Sequence, residues 1–486
     1  MSTYLLANIG TRDVQLDTLT DFPPELVNAK TGHLIPRRAG DYLRQPEQFA
    51  HYLTRLRLPM IEKALRFITA KPDDTLRIIL FATDQPESVA AHYRDGDTIH
   101  FAELIREALF ARHKATGLAK KQIEIRSTSS NPGDYDQMHD FYRKYLPGYA
   151  DRTPAPNPAY LLIAGGTPQM NTMLLLIGTE IFGPAAQPLY VSQDLNTAHK
   201  LDTARLLYFQ AFQRSLAVVL KAYAYSSALA LLTESQDYLK VEIIPLLCAA
   251  LEYGVVRRNL DLEAAGRAFD ATVATTRDLR GTVQAFQREV EDQSEQAKLR
   301  ETIFLAQIAA TTENWADFLN RLHRFSEGTM QLLAERLEVK WSDKLERASY
   351  KPTWWEANRT LLASLRLATA QAPDDREAEN KAREVNRTNL RTIITALATA
   401  PEHEAIRSAL VELALIDRPI PLRNDIVHRF TPISRDELVH RAGVSLDELL
   451  AAMRRAYQHA FGTVVPDASP YDSLNKLCSD ILKGTR

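Results

Sequence analysis

Cysteine is nearly absent: Cys248 and Cys478 are the only two in 486 residues. A pair so far apart argues against a disulfide framework or a cysteine-based zinc site, and it suits a reducing compartment. No apolar run reaches membrane-spanning length, and Met1-Ser2-Thr3-Tyr4 leads into a strand-like run with no basic segment before it. The expectation is a cytoplasmic protein without a membrane partner. Excess charge is missing too. With a net charge of −2, 25% charged and 45% hydrophobic residues, any nucleic-acid site has to be local. There is no G-x-G-x-x-G after the first strand-like run and no Walker lysine motif, which disfavours nicotinamide chemistry and ATP hydrolysis.

What is present has two textures. Residues 1–200 alternate short apolar runs with helical periodicity. Tyr4 to Ile9, Leu76 to Ala82, Ile123 to Arg126, Pro158 to Ala164 and Gln187 to Val191 read as strands. Glu47 to Ala70, Ile99 to Thr116 and the stretch following Gly165-Gly166-Thr167-Pro168 to about Phe182 read as helices. Strands alternating with helices imply a parallel, doubly wound, Rossmann-like sheet. Ligands of such sheets sit outside the carboxyl ends of the strands, over helix N-termini. Those ends carry Asn8, Gly10, Thr11 and Arg12, then Thr83 and Asp84, then Ser127 to Asn131, and finally Gly165, Gly166, Thr167, Gln169 and Asn171. Glycines, hydroxyls and amides in this arrangement suit phosphates and base edges. Each loop taken singly reads equally well as an ordinary βα turn; the four together point to a ligand.

From about residue 201 the strand pattern stops. Helices are expected over Leu201 to Leu232, over Tyr238 to Tyr253 with a kink or division at Pro245, and in long stretches from Leu260 to Phe325. Further helices are expected near 353–371, 376–399, 402–416, 445–462 and 470–484. The charged run Gln284 to Arg300 reads as a solvated helix, and packing is the default role of Trp341, Trp354 and Trp355.

Within this helical half lies Arg423-Asn424-Asp425-Ile426-Val427-His428. A permanently charged guanidinium matches phosphate geometry, and a neighbouring imidazole moves protons near neutrality, which together suit attack of a ribose 2′-hydroxyl on its phosphodiester. Asn424 is placed to position either group. The spacing alone is weak, since 42 arginines and 12 histidines produce it about once by chance. The setting adds weight: Pro419-Ile420-Pro421 interrupts the preceding helix and Pro432 closes the segment. A second copy, Arg435 to His440, follows Ser434 as a plausible N-cap and reads as an amphipathic turn. No His/Cys/Asp/Glu grouping with ligand spacing lies near the motif, so no metal is expected.

A doubly wound N-terminal half, a Gly-Gly-Thr-Pro turn and a helical C-terminal half with Arg-Asn-x-x-x-His together resemble the CARF–HEPN ribonucleases that accompany type III CRISPR systems. The resemblance implies a CARF-like domain over 1–200 that senses cyclic oligoadenylate, a helical linker over 201–350, and a HEPN-like core over 351–486. It implies metal-free cleavage of single-stranded RNA by Arg423, Asn424 and His428, with no cofactor beyond the allosteric activator, leaving 2′,3′-cyclic phosphate ends; DNA is no substrate. On the sensing side it falls on Asn8 to Arg12 and Gly165 to Asn171, with weak cleavage of the ring itself as an added option. Residues five apart on a helix are turned by roughly 140° and separated by roughly 7.5 Å, so Arg423 and His428 are expected to meet in a homodimer. Two rivals stay open. One is a non-catalytic ligand-sensing regulator, whose support would be the helix-turn-helix-like run 434–456. The other is a small-molecule enzyme using Asp84 or His92.

Overall fold

The first strand, β1 (Ser2–Asn8), is the centre of the N-terminal half. Leu5, Leu6 and Ala7 are wholly buried, because parallel strands covered on both faces need apolar side chains on both. Beside it runs β4 (Thr75–Thr83), buried from Ile78 onward. With β5 (Ile123–Thr128), β6 (Ala159–Leu162), β7 (Ala186–Tyr190) and β8 (His199–Lys200) they form a six-stranded sheet in the order β5-β4-β1-β6-β7-β8. Pairing is parallel throughout except β7 with β8. A separate ribbon joins β2 (Gln15–Leu16) to β3 (Leu56–Arg57). Alternate residues of the central strands serve opposite faces. Leu5, Ala7, Ile78 and Leu80 join Ile61, Phe101 and Ile105 in one core, while Leu6, Ile79 and Phe81 join Met138, Tyr142, Leu174 and Ile177 in the other.

This computed structural model describes residues 2–68, 75–113, 118–150, 158–191, 197–236, 239–270, 279–342, 349–365, 385–429 and 432–483; within these, the side chains at 2, 204, 424 and 427–429 are excluded. It divides into two units, 1–211 and 212–486. The first is the expected α/β layer structure and the second is helical among its described residues apart from one isolated β-bridge, Trp341 with Tyr350.

Several expected helices are shorter than the periodicity suggested. Glu47 to Ala70 is two helices, Pro46–Tyr52 and Pro59–Phe67, separated by β3; Pro59 cannot donate within a helix and starts a new one instead. Residues 69–70, 114–116 and 366–384 of the expected helices lie outside the described residues. Leu201 to Leu232 breaks into Thr203–Lys221 and Tyr225–Ser235 at a turn where Tyr223 has φ 52°. Pro245 neither kinks nor divides: it sits in the first turn of Ile244–Arg258. The charged run is also not one helix. It ends at Glu289 and restarts at Glu295 behind Ser294, whose hydroxyl caps Ala297 N–H. Buried Arg257 reaches the half-exposed Glu289 of the run at 2.7 Å and, just beyond the run, the buried Glu301 at 2.9 Å. Trp355 packs, 2% exposed, against Tyr350.

Candidate functional site

At the carboxyl end of the first sheet, the loops after β1 and β6 touch. A Cβ on Gly10 would lie 2.5 Å from Gly166 N, and one on Gly165 would lie 2.1 Å from Asn8 O. Both contacts are to backbone, so only glycine permits this approach; Gly166 adds a left-handed φ of 73°. The contact separates two clefts. One, of about 700 Å³, is lined by Gly10, Thr11, Thr83, Tyr93, Gly166 and Thr167 among others. The other, about 620 Å³, is lined by Thr11, Arg12, Asp13, Gly165, Asn171 and Tyr190 among others. The helix Pro168–Phe182 starts at this junction, with the partial positive charge of its N-terminus.

The residues read from the sequence divide by role. Gly10, Thr11, Arg12, Thr83, Gly165, Gly166, Thr167 and Asn171 line one cleft or the other. Arg12 is exposed, and its guanidinium pairs with no described residue. Three residues line neither cleft. Asn8 is fully buried; it accepts from Tyr142 Oη at 2.6 Å and donates to Asn171 Oδ1 at 2.9 Å, so it orients Asn171. Asp84 is held by Arg37 at 2.5 Å, and Gln169 stands beside the clefts on the helix. Thr167 is committed at its hydroxyl, which donates to Pro132 O at 2.5 Å and accepts from Met170 N–H at 3.2 Å. Its wall contribution is therefore its carbon face. Thr83 likewise exchanges hydrogen bonds with Thr98 at 3.1 Å.

Asp13 emerges only from the structure. It is 3% exposed, with Oδ2 accepting from Gly10 N–H at 2.6 Å and Oδ1 lacking a described partner. Burial pushes its carboxyl up to about 7, against the opposing effect of the Gly10 hydrogen bond. The aromatic rings Tyr93, 66% exposed, and Tyr190 at the clefts were also not anticipated.

In the second unit the helix Glu404–Asp417 stops before Pro419 and a new helix, Pro421–Arg429, begins. Ile420 and Leu422 are buried anchors. The new helix packs against the long helix Trp315–Arg336. There Arg423 Nε donates to Asn320 Oδ1 at 2.6 Å, while its two terminal nitrogens bond no described residue. One turn on from Asn320 stands His323, whose Nδ1 is buried without a described hydrogen-bond partner. Burial lowers its pKa below the usual histidine value; Glu327 opposes this, and the Arg423, Arg387 and Arg324 guanidiniums reinforce it. Nearby, Asp417 gathers Ser326 Oγ at 2.7 Å, Arg387 at 3.2 Å and Arg391 at 2.5 Å. The side chains of Asn424 and His428 lie outside the described atoms; their backbone belongs to the same continuous helix as Arg423.

The other Arg-x4-His spacings have different surroundings. Arg435 and His440 are exposed on Arg435–Ala442, capped by Ser434. A third instance, Arg454 to His459, lies on Leu446–Phe461, with Arg454 bonded to Gln307 at 2.9 Å and His459 exposed. Arg435–Ala442 and Leu446–Phe461 follow one another across the left-handed Gly443, and the second helix opens on Asp447 and Glu448, which repel phosphates.

Residues 288–478 match the family model described as the Cas_Csm6 HEPN domain. Among solved structures, the chain resembles Enterococcus italicus Csm6 bound to cyclic hexa-2′-fluoro-hexa-dAMP, with a TM-score of 0.61 and 14% identity over 99% of this chain and 100% of that one. No curated protein matches. The fold is that of this Csm6, an α/β unit followed by a helical one, and the Arg423–His428 motif falls inside the matched HEPN region. No helix among the described residues is long and apolar enough to cross a membrane.

Proposed function

We propose that this protein is a CARF–HEPN ribonuclease of the type III CRISPR class, a cyclic-oligoadenylate-activated, metal-independent endoribonuclease that cuts single-stranded RNA. The observation that carries the reading is the HEPN match over 288–478, which encloses a motif arginine held at one nitrogen and, among the described residues, unbonded at the other two. Arg423 suits the non-bridging oxygens of a phosphodiester: Asn320 holds Nε, and the outward nitrogens keep the geometry of a bidentate phosphate donor. His428 supplies an imidazole for proton transfer, and Asn424 a polar neighbour. The ribose 2′-hydroxyl is the nucleophile, so products end in 2′,3′-cyclic phosphate and DNA is inert.

The activator belongs at the junction of the two clefts of the first unit. Arg12, Thr11, Asn171 and the N-terminus of Pro168–Phe182 provide the polar and cationic groups that a ring of adenylates needs. Rotational symmetry of such a ring suits two copies of the chain around one axis. The same homodimer answers the helical geometry of the motif, since Pro421–Arg429 is one helix and turns His428 roughly 140° from Arg423. Mixing His428→Ala subunits with Arg423→Ala subunits tests this composite site. Activity in the mixture above that of either parent supports it; full activity of a monomeric wild type contradicts it.

A further inference from the structure

Cleavage by a 2′-hydroxyl is an in-line displacement, so the attacking and departing oxygens stand on opposite sides of phosphorus. One proton has to leave the first oxygen and another has to reach the second, and a single imidazole is poorly placed for both. The motif contributes one histidine per chain, at a backbone position turned roughly 140° from that of Arg423 around the helix axis.

A second histidine stands on the Arg423 side. Asn320 and His323 are three residues apart on Trp315–Arg336 and so share a face; Asn320 is the residue that grips Arg423 at 2.6 Å. The His323 ring is 24% exposed, and its Nδ1 lies 3.9 Å from Glu327 Oε2, too long for a hydrogen bond. The charged groups around it come from three helices. Glu327 and Arg324 lie on its own helix, Arg387 on Arg387–Leu397 and Arg423 on Pro421–Arg429, with Asp417 engaging Arg387 from a fourth. Burial above all disfavours an imidazolium; Glu327 opposes this and the three arginines reinforce it, which keeps the ring in its proton-accepting form at neutral pH.

We propose that His323 is the second imidazole of the RNA-cleaving site, accepting the ribose 2′-hydroxyl proton while Arg423 of the same chain holds the phosphate. The proposal rests on the ribonuclease reading above. As the O2′–P bond forms, the 2′-hydroxyl proton passes to His323. As the P–O5′ bond breaks, the departing oxygen takes a proton from protonated His428. The products are a 2′,3′-cyclic phosphate and a 5′-hydroxyl, and proton exchange with water resets both rings without a co-reactant.

The test is the single-turnover cleavage rate of a fluorescent single-stranded RNA from pH 5 to 9, with activator, for the full-length wild type, His323→Ala, His323→Gln and His428→Ala. We expect His323→Ala to lose about 10²-fold or more with RNA binding retained, and added imidazole to restore part of the rate. The wild-type rate should rise with pH along an acid limb centred below the usual histidine value, and His323→Gln should lack that limb. His323→Gln, with its closer shape, carries the same readouts if His323→Ala melts early. A loss under threefold, or a loss with the acid limb kept and no imidazole rescue, overturns the proposal while an inactive His428→Ala leaves the ribonuclease reading standing. A wild type that cuts no RNA overturns both.

Discussion

Arg423 Nε and Asn320 Oδ1 stand 2.6 Å apart although 103 residues separate them in the chain. The bond fixes the arginine at one nitrogen and leaves its two terminal nitrogens clear of described partners. A guanidinium that is free to swing loses part of its advantage, because catalysis by charge depends on a donor already in place.

Asn320→Ala should therefore slow RNA cleavage by about 10–10²-fold, mostly in kcat. Arg423 would keep its charge and lose its orientation. Asn320→Asp, which still accepts from Nε, should retain much more of the rate. Steady-state kinetics on one fluorescent RNA, with melting temperatures alongside, decide this. Equal losses in both variants would show that orientation at Nε does not matter.

Gly165→Ala should lose ligand binding in the first unit. Its new Cβ would meet Asn8 O at 2.1 Å and Asp13 Oδ2 at 2.5 Å, and the backbone oxygen cannot step aside. The expected cost is about 1–3 kcal/mol of stability, with the two clefts pushed apart. Calorimetry with cyclic oligoadenylates and thermal unfolding check it; unchanged affinity would mean that the close approach of these loops is not needed for binding.

Asp13 gives a pH prediction. Its folded pKa, about 7, lies above the ordinary carboxylate value, so the folded state prefers the proton. The corresponding stability is fully present below the ordinary carboxylate pKa and is lost as pH rises through about 7, with a slope of about 1.4 kcal/mol per pH unit between those limits. Asp13→Asn removes this titration. Its melting temperature relative to wild type should therefore increase between pH 5 and pH 8. A difference that stays constant over that range would show that Asp13 is not buried and neutral.

Much of the first unit was readable in advance because buried parallel strands are continuous apolar runs, as Leu76 to Ala82 shows. Strand ends then placed Thr11, Arg12, Gly166 and Asn171 together by topology alone. Asn8 was misplaced because it sits at the same strand end yet turns inward to Tyr142 and Asn171, and a single sequence does not tell the two directions apart. The break within Glu47 to Ala70 was hidden because Phe49, Leu53, Leu56 and Met60 keep helical spacing across it; Pro59 was the available sign. Short β8 carries too few residues to show a pattern. In the second unit the motif could be found locally, as its prolines mark a helix of its own. Asn320 and His323 could not, since nothing in residues 315–336 points to a partner a hundred residues on.

The most direct measurement is cleavage of a fluorescent single-stranded RNA in EDTA, with and without a panel of cyclic oligoadenylates, by wild type and Arg423→Ala. Wild type should cleave with strong stimulation by one ring, leave 2′,3′-cyclic phosphate ends, and lose about 10²–10³-fold on Arg423→Ala. Cleavage that requires a metal, that no ring stimulates, or that survives in Arg423→Ala would contradict the proposed ribonuclease mechanism.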